Sequence, residues 1–454
     1  MNQVSATAIR RPAYKAEKIV IWLFLFLLIG EGALRKWFLP SLATPLLVVR
    51  DPLAVWLVFR GLQRGMLQGN TTMIVMFITT LISFILTMTM GHGNIWVAIY
   101  GARIYVIYFP LMYVIGKILT YDDVVKIGKV ILWMSLGMTA ILVLQHISSP
   151  SARINIGVGG EGTSTFNANG AGADVFRPSG TFSFISGPVD FYTVVAAYVL
   201  FFWLNPKEIN RLLLMASSFS LIIAVAVSIS RSLLILVGIC VLFAAIIALL
   251  INTKLLMRMC VAAVVTVIIC LLLLNKSTFF NNTVQAFSGR IAFAAAAENS
   301  GNANAGLMGS IYNRGILGAL SSFENAFNEP VWGEGLGLGT NVGAQLTTGT
   351  VGFLVGEGEA DRVMGEMGFI LGGLILIIRL IISCDFLLRS YKALKRNNIL
   401  PWMLASAVCL TIFIGQLGQP TNLGFMSLSG GLLLGAFNSN RSKTIAPKKL
   451  NAHV

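Results

Sequence analysis

Apolar runs of membrane-spanning character recur twelve times along the chain, and the polar stretches between them alternate in kind. A helix needs about 20 apolar residues to cross the roughly 30 Å hydrocarbon layer. The runs predict spans near 19–38, 42–59, 72–90, 95–116, 127–147, 186–204, 212–229, 233–251, 259–274, 364–388, 400–416 and 422–437. The second is the weakest, because Pro45 and Arg50-Asp51-Pro52 interrupt it, and the ninth is short. The expected fold is an all-helical integral membrane protein.

Basic residues orient the spans. With the N-terminus (1–18) cytoplasmic, one side collects Arg10, Arg11, Lys15, Lys18, Arg60, Arg64, Lys117, Lys126, Lys129, Lys207, Arg211, Lys254 and Arg258. Arg389, Lys392, Lys395, Arg396 and the basic residues of the 438–454 tail join them, so that 21 of the 33 Lys and Arg share a side. This is the positive-inside pattern. Both termini are then cytoplasmic, and the net charge of +15 reflects topology rather than affinity for nucleic acid. Composition agrees: 11% of residues are charged, where a soluble chain carries about 25%. The basic start and apolar core of the N-terminus resemble a secretory signal, but Glu31-Gly32-Ala33-Leu34-Arg35-Lys36 follows with no small-residue cleavage site, so the segment reads as a retained span. All five cysteines fall within spans and match no disulfide framework or metal spacing.

Two outer segments are long: 148–185, rich in Gly, Ser, Thr and Asn, and 275–363, the largest soluble part of the chain. Within the latter, 294–309 reads as flexible. Residues 311–328 read as an amphipathic helix, with Ile316, Leu320, Phe323 and Phe327 on one face and Arg314, Ser321, Asn325 and Asn328 on the other. It lies along the membrane surface or packs on its own loop. The run Pro330-Val331-Trp332-Gly333-Glu334-Gly335-Leu336-Gly337-Leu338-Gly339 lets backbone approach a ligand closely, but lacks the strand context of a nucleotide fingerprint.

Charges in apolar surroundings mark the candidate chemistry, because such residues pair, snorkel or bind something. Arg103 lies two turns inside the fourth span. Arg50 and Asp51 are expected to compensate each other in part, directly or through neighbours. Arg379 is expected to snorkel or to pair with Asp385. Arg177 and Arg231 stand at outer span ends, where a lone arginine is often only a solvated connector. Arginines converging there would bind phosphate bidentately. Glu357, Glu359, Asp361 and Glu366 gather with Arg362 at the end of the large loop, either as local ion pairs or as the source of a general base. His92 and His146 stand singly at span ends and read as structural.

In order along the chain, Arg177-Pro178-Ser179-Gly180-Thr181-Phe182, Ser228-Ile229-Ser230-Arg231, the glycine run at 330–337 and Glu366-Met367-Gly368 resemble the O-antigen polymerase and O-antigen ligase superfamily of bacterial envelope polysaccharide assembly. The resemblance covers roughly 175–385. It implies a GT-C-like glycosyltransferase of the inner membrane, with its active site on the outer face and one large outer loop carrying short helices. The donor would be an undecaprenyl-pyrophosphate-linked saccharide. Arg177 and Arg231, with Arg314 and Arg103, would hold the donor pyrophosphate, and Glu359, Asp361 or Glu366 would supply the base. No metal or cofactor is implied. A flippase and a chain-length regulator would be its protein partners. The ligases typically carry a histidine in the large outer loop, and this chain has none between His146 and His453, which favours a polymerase of O-antigen, capsule or exopolysaccharide.

A transporter is the main rival, since twelve spans with both ends inside is a common transporter arrangement. No repeat relates the two halves, and the polar residues cluster in outer loops rather than at the midplane. A non-catalytic scaffold is the third reading. Lysine at Arg177 or Arg231 keeps the charge but not the fork of donors, so Arg177→Lys and Arg231→Lys are expected to lose most activity in a polymer assay. Retained activity would count against bidentate phosphate binding.

Overall fold

A computed structural model describes residues 14–160, 176–251, 289, 330–349, 354–355 and 358–438. Among these the chain is built from helices with no strand. They are α1 (Lys15–Ala33), α2 (Asp51–Gln63), α3 (Thr71–Thr89), α4 (Ile95–Ile118), α5 (Tyr121–Ile147), α6 (Ser186–Leu204), α7 (Arg211–Val227) and α8 (Arg231–Ile251). After the interval come α9 (Asn341–Thr348), α10 (Glu359–Leu394), α11 (Leu400–Ile414) and α12 (Pro420–Ala436). Seven helices, taking α2 with its preceding turns as Pro40–Gln63, are long and apolar enough to cross a membrane, and α7 and α11 are shorter apolar helices. The chain is therefore an all-helical, membrane-embedded protein. Helices stand at eleven of the twelve predicted positions; the ninth, 259–274, lies outside the described residues, as do 294–309 and 311–328 with Arg314.

Successive helices run antiparallel, so the bundle has two chemically distinct ends. At one, Lys18 bonds Asp123 at 2.6 Å and Arg64 bonds Glu17 at 2.6 Å, tying the starts of α1 and α5 and the end of α2. The other, here the polar end, gathers the ends of α1, α3, α7 and α11 with the starts of α2, α4, α6, α8, α10 and α12. α8 runs from the polar end toward the start of α11, where the Trp402 indole N–H donates to Phe243 O at 3.0 Å. α6 is the central helix, with α5, α7, α8, α11 and α12 around it. In lipid, helices associate through close packing rather than through hydrophobicity. α12 meets α4 in this way, with Gly430 and Gly431 flush against Met112 and Ile115.

Helix geometry departs from regular only at the polar end. Residues Leu34–Phe38, after α1, and Ile104–Tyr108, inside α4, are π-helical turns, an irregularity that often marks functional sites. In apolar surroundings a displaced carbonyl must find another donor; Tyr108 O accepts from the Ser427 hydroxyl at 3.0 Å. α10 is broken at Gly368, with φ 78° and ψ 166°. The carbonyls of Gly365 and Glu366, displaced by this break, accept from Glu334 N at 2.7 Å and Gly335 N at 3.0 Å. The break also explains why α10 starts at Glu359 rather than at the predicted 364. Its first two turns form a separate segment whose charges are paired, as described below.

That backbone region belongs almost exclusively to glycine, and a Cβ at residue 368 would lie 1.9 Å from Val331 O. Gly368→Ala is therefore expected to destabilise the fold by roughly 2 kcal/mol or more, read as a lowered unfolding midpoint in lipid nanodiscs.

Candidate functional site

The glycine run of the large loop folds against protein rather than framing an open cradle. Gly337, at φ 87°, packs its backbone directly on Gly101 and Val97 of α4. Leu336 N donates to Thr87 Oγ1 at 2.9 Å, and His92 N donates to Glu334 O at 3.1 Å. His92 Nδ1 accepts from Asn94 N at 3.0 Å, so Nε2 carries the proton it gives to Leu336 O at 3.1 Å. His92 is structural, as expected. The alternating glycines let one chain segment thread between α3, α4 and the broken start of α10.

Two charged groups lie beneath this segment. The first is a quartet of buried residues: Glu359, Arg362, Glu366 and Arg379. Arg362 donates to Glu359 at 2.9 and 3.0 Å and to Glu366 at 2.8 Å. Arg379 reaches Glu359 at 2.5 Å and also donates to Ile412 O and Gly415 O at 2.7 and 3.0 Å. Glu359 accepts further from Leu417 N at 3.1 Å, and Glu366 from Gly339 N at 3.0 Å. The quartet is charge-neutral and its carboxylates are engaged on both oxygens. The expected Arg379–Asp385 pair is not formed: Asp385 bonds Arg389 one turn on at 2.8 Å, and Arg379 instead spans to Glu359 across the break in α10.

The second group contains Glu31, Arg35, Lys36, Arg50, Asp51 and Arg103. Arg50 is buried and bonds Glu31 at 2.7 Å and Pro420 O at 3.0 Å. Asp51 bonds Arg103 and accepts from the Tyr108 hydroxyl at 2.5 Å. Of the two expected arrangements the structure has the indirect one: Arg50 and Asp51 are each paired through neighbours, Glu31 for Arg50 and Arg103 with Tyr108 for Asp51. Arg103 also lies over the Tyr100 ring, 3.6 Å from its centroid. Arg35 donates to Ser183 Oγ at 3.0 Å and is 3.4 Å from Glu31. Lys36 is buried and donates to Gly180 O at 2.6 Å and Ser179 Oγ at 3.0 Å, with no carboxylate partner among the described residues. The group thus holds four cations against two carboxylates. A π turn supplies residues to each group: Tyr105 faces Arg362 at 3.5 Å, and Tyr108 bonds Asp51.

Of the sequence candidates, Arg103, Glu359 and Glu366 enter these groups. Arg177 is half-buried two residues before Ser179, on the turn that Lys36 grips. Arg231 is half-buried at the start of α8, after Ile229 at φ 48° and the capping Ser230, whose Oγ accepts from Leu233 N at 3.3 Å. Asp361 is half-buried, off the quartet. Arg314 and Glu357 lie outside the described residues. Sequence reasoning missed Glu31, Lys36 and Asp190. Asp190 carried a signal, being the one charge inside the span at 186–204. Among the described residues no group of His, Cys, Asp and Glu could hold a metal. No protein-family model and no curated protein matches the chain.

Removing one partner of a buried pair leaves the other charge unpaired. Arg362→Met is therefore expected to cost about 3–5 kcal/mol. Arg389→Met, in a pair whose side chains are 60% and 40% exposed, should change stability by less than about 1 kcal/mol. Chemical unfolding of both variants in nanodiscs checks the contrast.

Proposed function

We propose that this protein is a twelve-span, GT-C-like glycosyltransferase of the bacterial inner membrane. It polymerises undecaprenyl-pyrophosphate-linked repeat units on the outer face into O-antigen, capsule or exopolysaccharide. The observation that carries this reading is the excess of buried cations, among the described residues, in the group whose Lys36 and Arg35 bond Ser179, Gly180 and Ser183. Lys36, Arg35, Arg50 and Arg103 outnumber Glu31 and Asp51. An uncompensated ammonium costs several kcal/mol in such surroundings. A pyrophosphate bound beside Arg177 would supply the missing negative charge. The same cations would stabilise the leaving pyrophosphate as the sugar–phosphate bond breaks. Arg231, at the same end of the bundle, and Arg314 complete the expected donor set, and a flippase and chain-length regulator are the expected partners.

The paired state of Glu359 and Glu366 argues against either as the free base and leaves Asp361 as the better member of that set. The quartet then acts as scaffold beneath the glycine segment.

In a strain lacking this gene, mass spectrometry of lipid-linked glycans is expected to find single repeat units accumulated and polymer lost. Complementation with Lys36→Met should leave that accumulation in place, whereas the wild-type gene clears it. Long polymer stranded on the carrier would indicate a ligase instead, and an unchanged profile would remove the glycosyltransferase reading.

A further inference from the structure

Resting on the polymerase reading, we infer that Asp190 is the carboxylate that accepts the proton of the acceptor saccharide's hydroxyl, at an opening in the polar end centred on the start of α6. α6 is enclosed along most of its length, and Phe191–Val199 are all buried. At its polar end, however, Ser183–Ser186, Val189 and Asp190 remain partly accessible, although five helices surround α6. This partly accessible patch is where the inferred opening lies.

The opening has the chemistry of a saccharide site. Ser186 donates to Gln419 Oε1 at 2.7 Å, and the Gln419 amide donates to Gln416 Oε1 at 2.9 Å. Hydroxyl and carboxamide groups match sugar hydroxyls as donors and acceptors. Asp190 follows Ser186 by one turn on the same face. Its Oδ2 is buried with no hydrogen-bond partner, and Asp190 takes part in no ion pair among the described residues. It lies beyond the first turn of α6 and caps nothing. The walls are rigid: Phe182, Phe191 and Phe425 are buried against one another at centroid separations of 5.7–6.5 Å. Phe182 ends the turn that carries Arg177, so donor and acceptor groups meet on one short segment. Glu359 and Glu366, by contrast, have their oxygens occupied by arginines and backbone N–H groups.

In the step itself, the acceptor hydroxyl oxygen attacks the anomeric carbon of the donor. The bond from that carbon to the phosphate oxygen breaks, its electron pair leaving with the lipid pyrophosphate. The hydroxyl proton passes to the Asp190 carboxylate and then to water.

The test uses the full-length protein in nanodiscs, with the lipid-linked single units isolated from the deletion strain as substrate. Asp190→Asn is expected to lower kcat by about 100-fold or more while KM for the lipid-linked unit stays within about threefold. Its unfolding midpoint should be unchanged or raised, since an unpaired buried carboxylate is replaced by a neutral isostere, and Asp190→Glu should restore part of kcat. An active wild type with an Asp190→Asn variant of near-normal kcat overturns the assignment alone. So does a variant whose activity loss tracks a lowered unfolding midpoint. A wild type that fails to elongate the units overturns the polymerase reading, and the assignment with it.

Discussion

Glu359 binds Arg362, Arg379 and the backbone N–H of Leu417 at once. The broken start of α10, its middle and the turn between α11 and α12 are therefore held by one carboxylate. Pro420, at the far side of that turn, accepts from Arg50. Charge in an apolar medium is costly unless paired and hydrogen-bonded, and Arg50 and Arg379 each draw acceptors from more than one part of the chain. The polar end is consequently a single connected network, and its geometry follows from satisfying these few groups.

Irregular backbone appears where that network needs it. The π turns bring Arg35, Lys36, Tyr105 and Tyr108 to bear, and the break at Gly368 turns two carbonyls toward the glycine segment. Each released carbonyl described here finds a donor from another part of the chain, as a membrane environment requires. The glycine run serves the same end, since its alternating glycines let the backbone of Glu334, Gly335 and Leu336 come close enough to donate into helices.

The two groups differ in charge balance, and this difference separates scaffold from proposed chemistry. The quartet is neutral and closed, a tie between elements. Among the described residues the group around Lys36 holds more cations than carboxylates, and Asp190 retains an unpaired carboxylate oxygen further along the Arg177–Asp190 segment. Fully satisfied polar groups give rigidity, while unsatisfied ones keep capacity for a ligand at the expense of stability.

Span positions were legible from the chain because hydropathy is a local property: α6 occupies its predicted 186–204, and α3, α8 and α12 begin or end within two residues of expectation. Local sequence also marked Arg103 and the acidic set near Glu359 as charges in need of partners. For Arg379 it looked to Asp385 nearby, when the actual partner is Glu359, 20 positions away, and it left unnamed Glu31, the partner of Arg50 19 positions away. Tertiary structure alone decided that the glycines meet helices and that Lys36 grips Gly180, 144 positions on. It also left Asp190 partly accessible next to the buried stretch Phe191–Val199. Partition into a membrane depends on each segment's own composition, whereas neutralising a buried charge depends on whichever group the packed helices bring within reach.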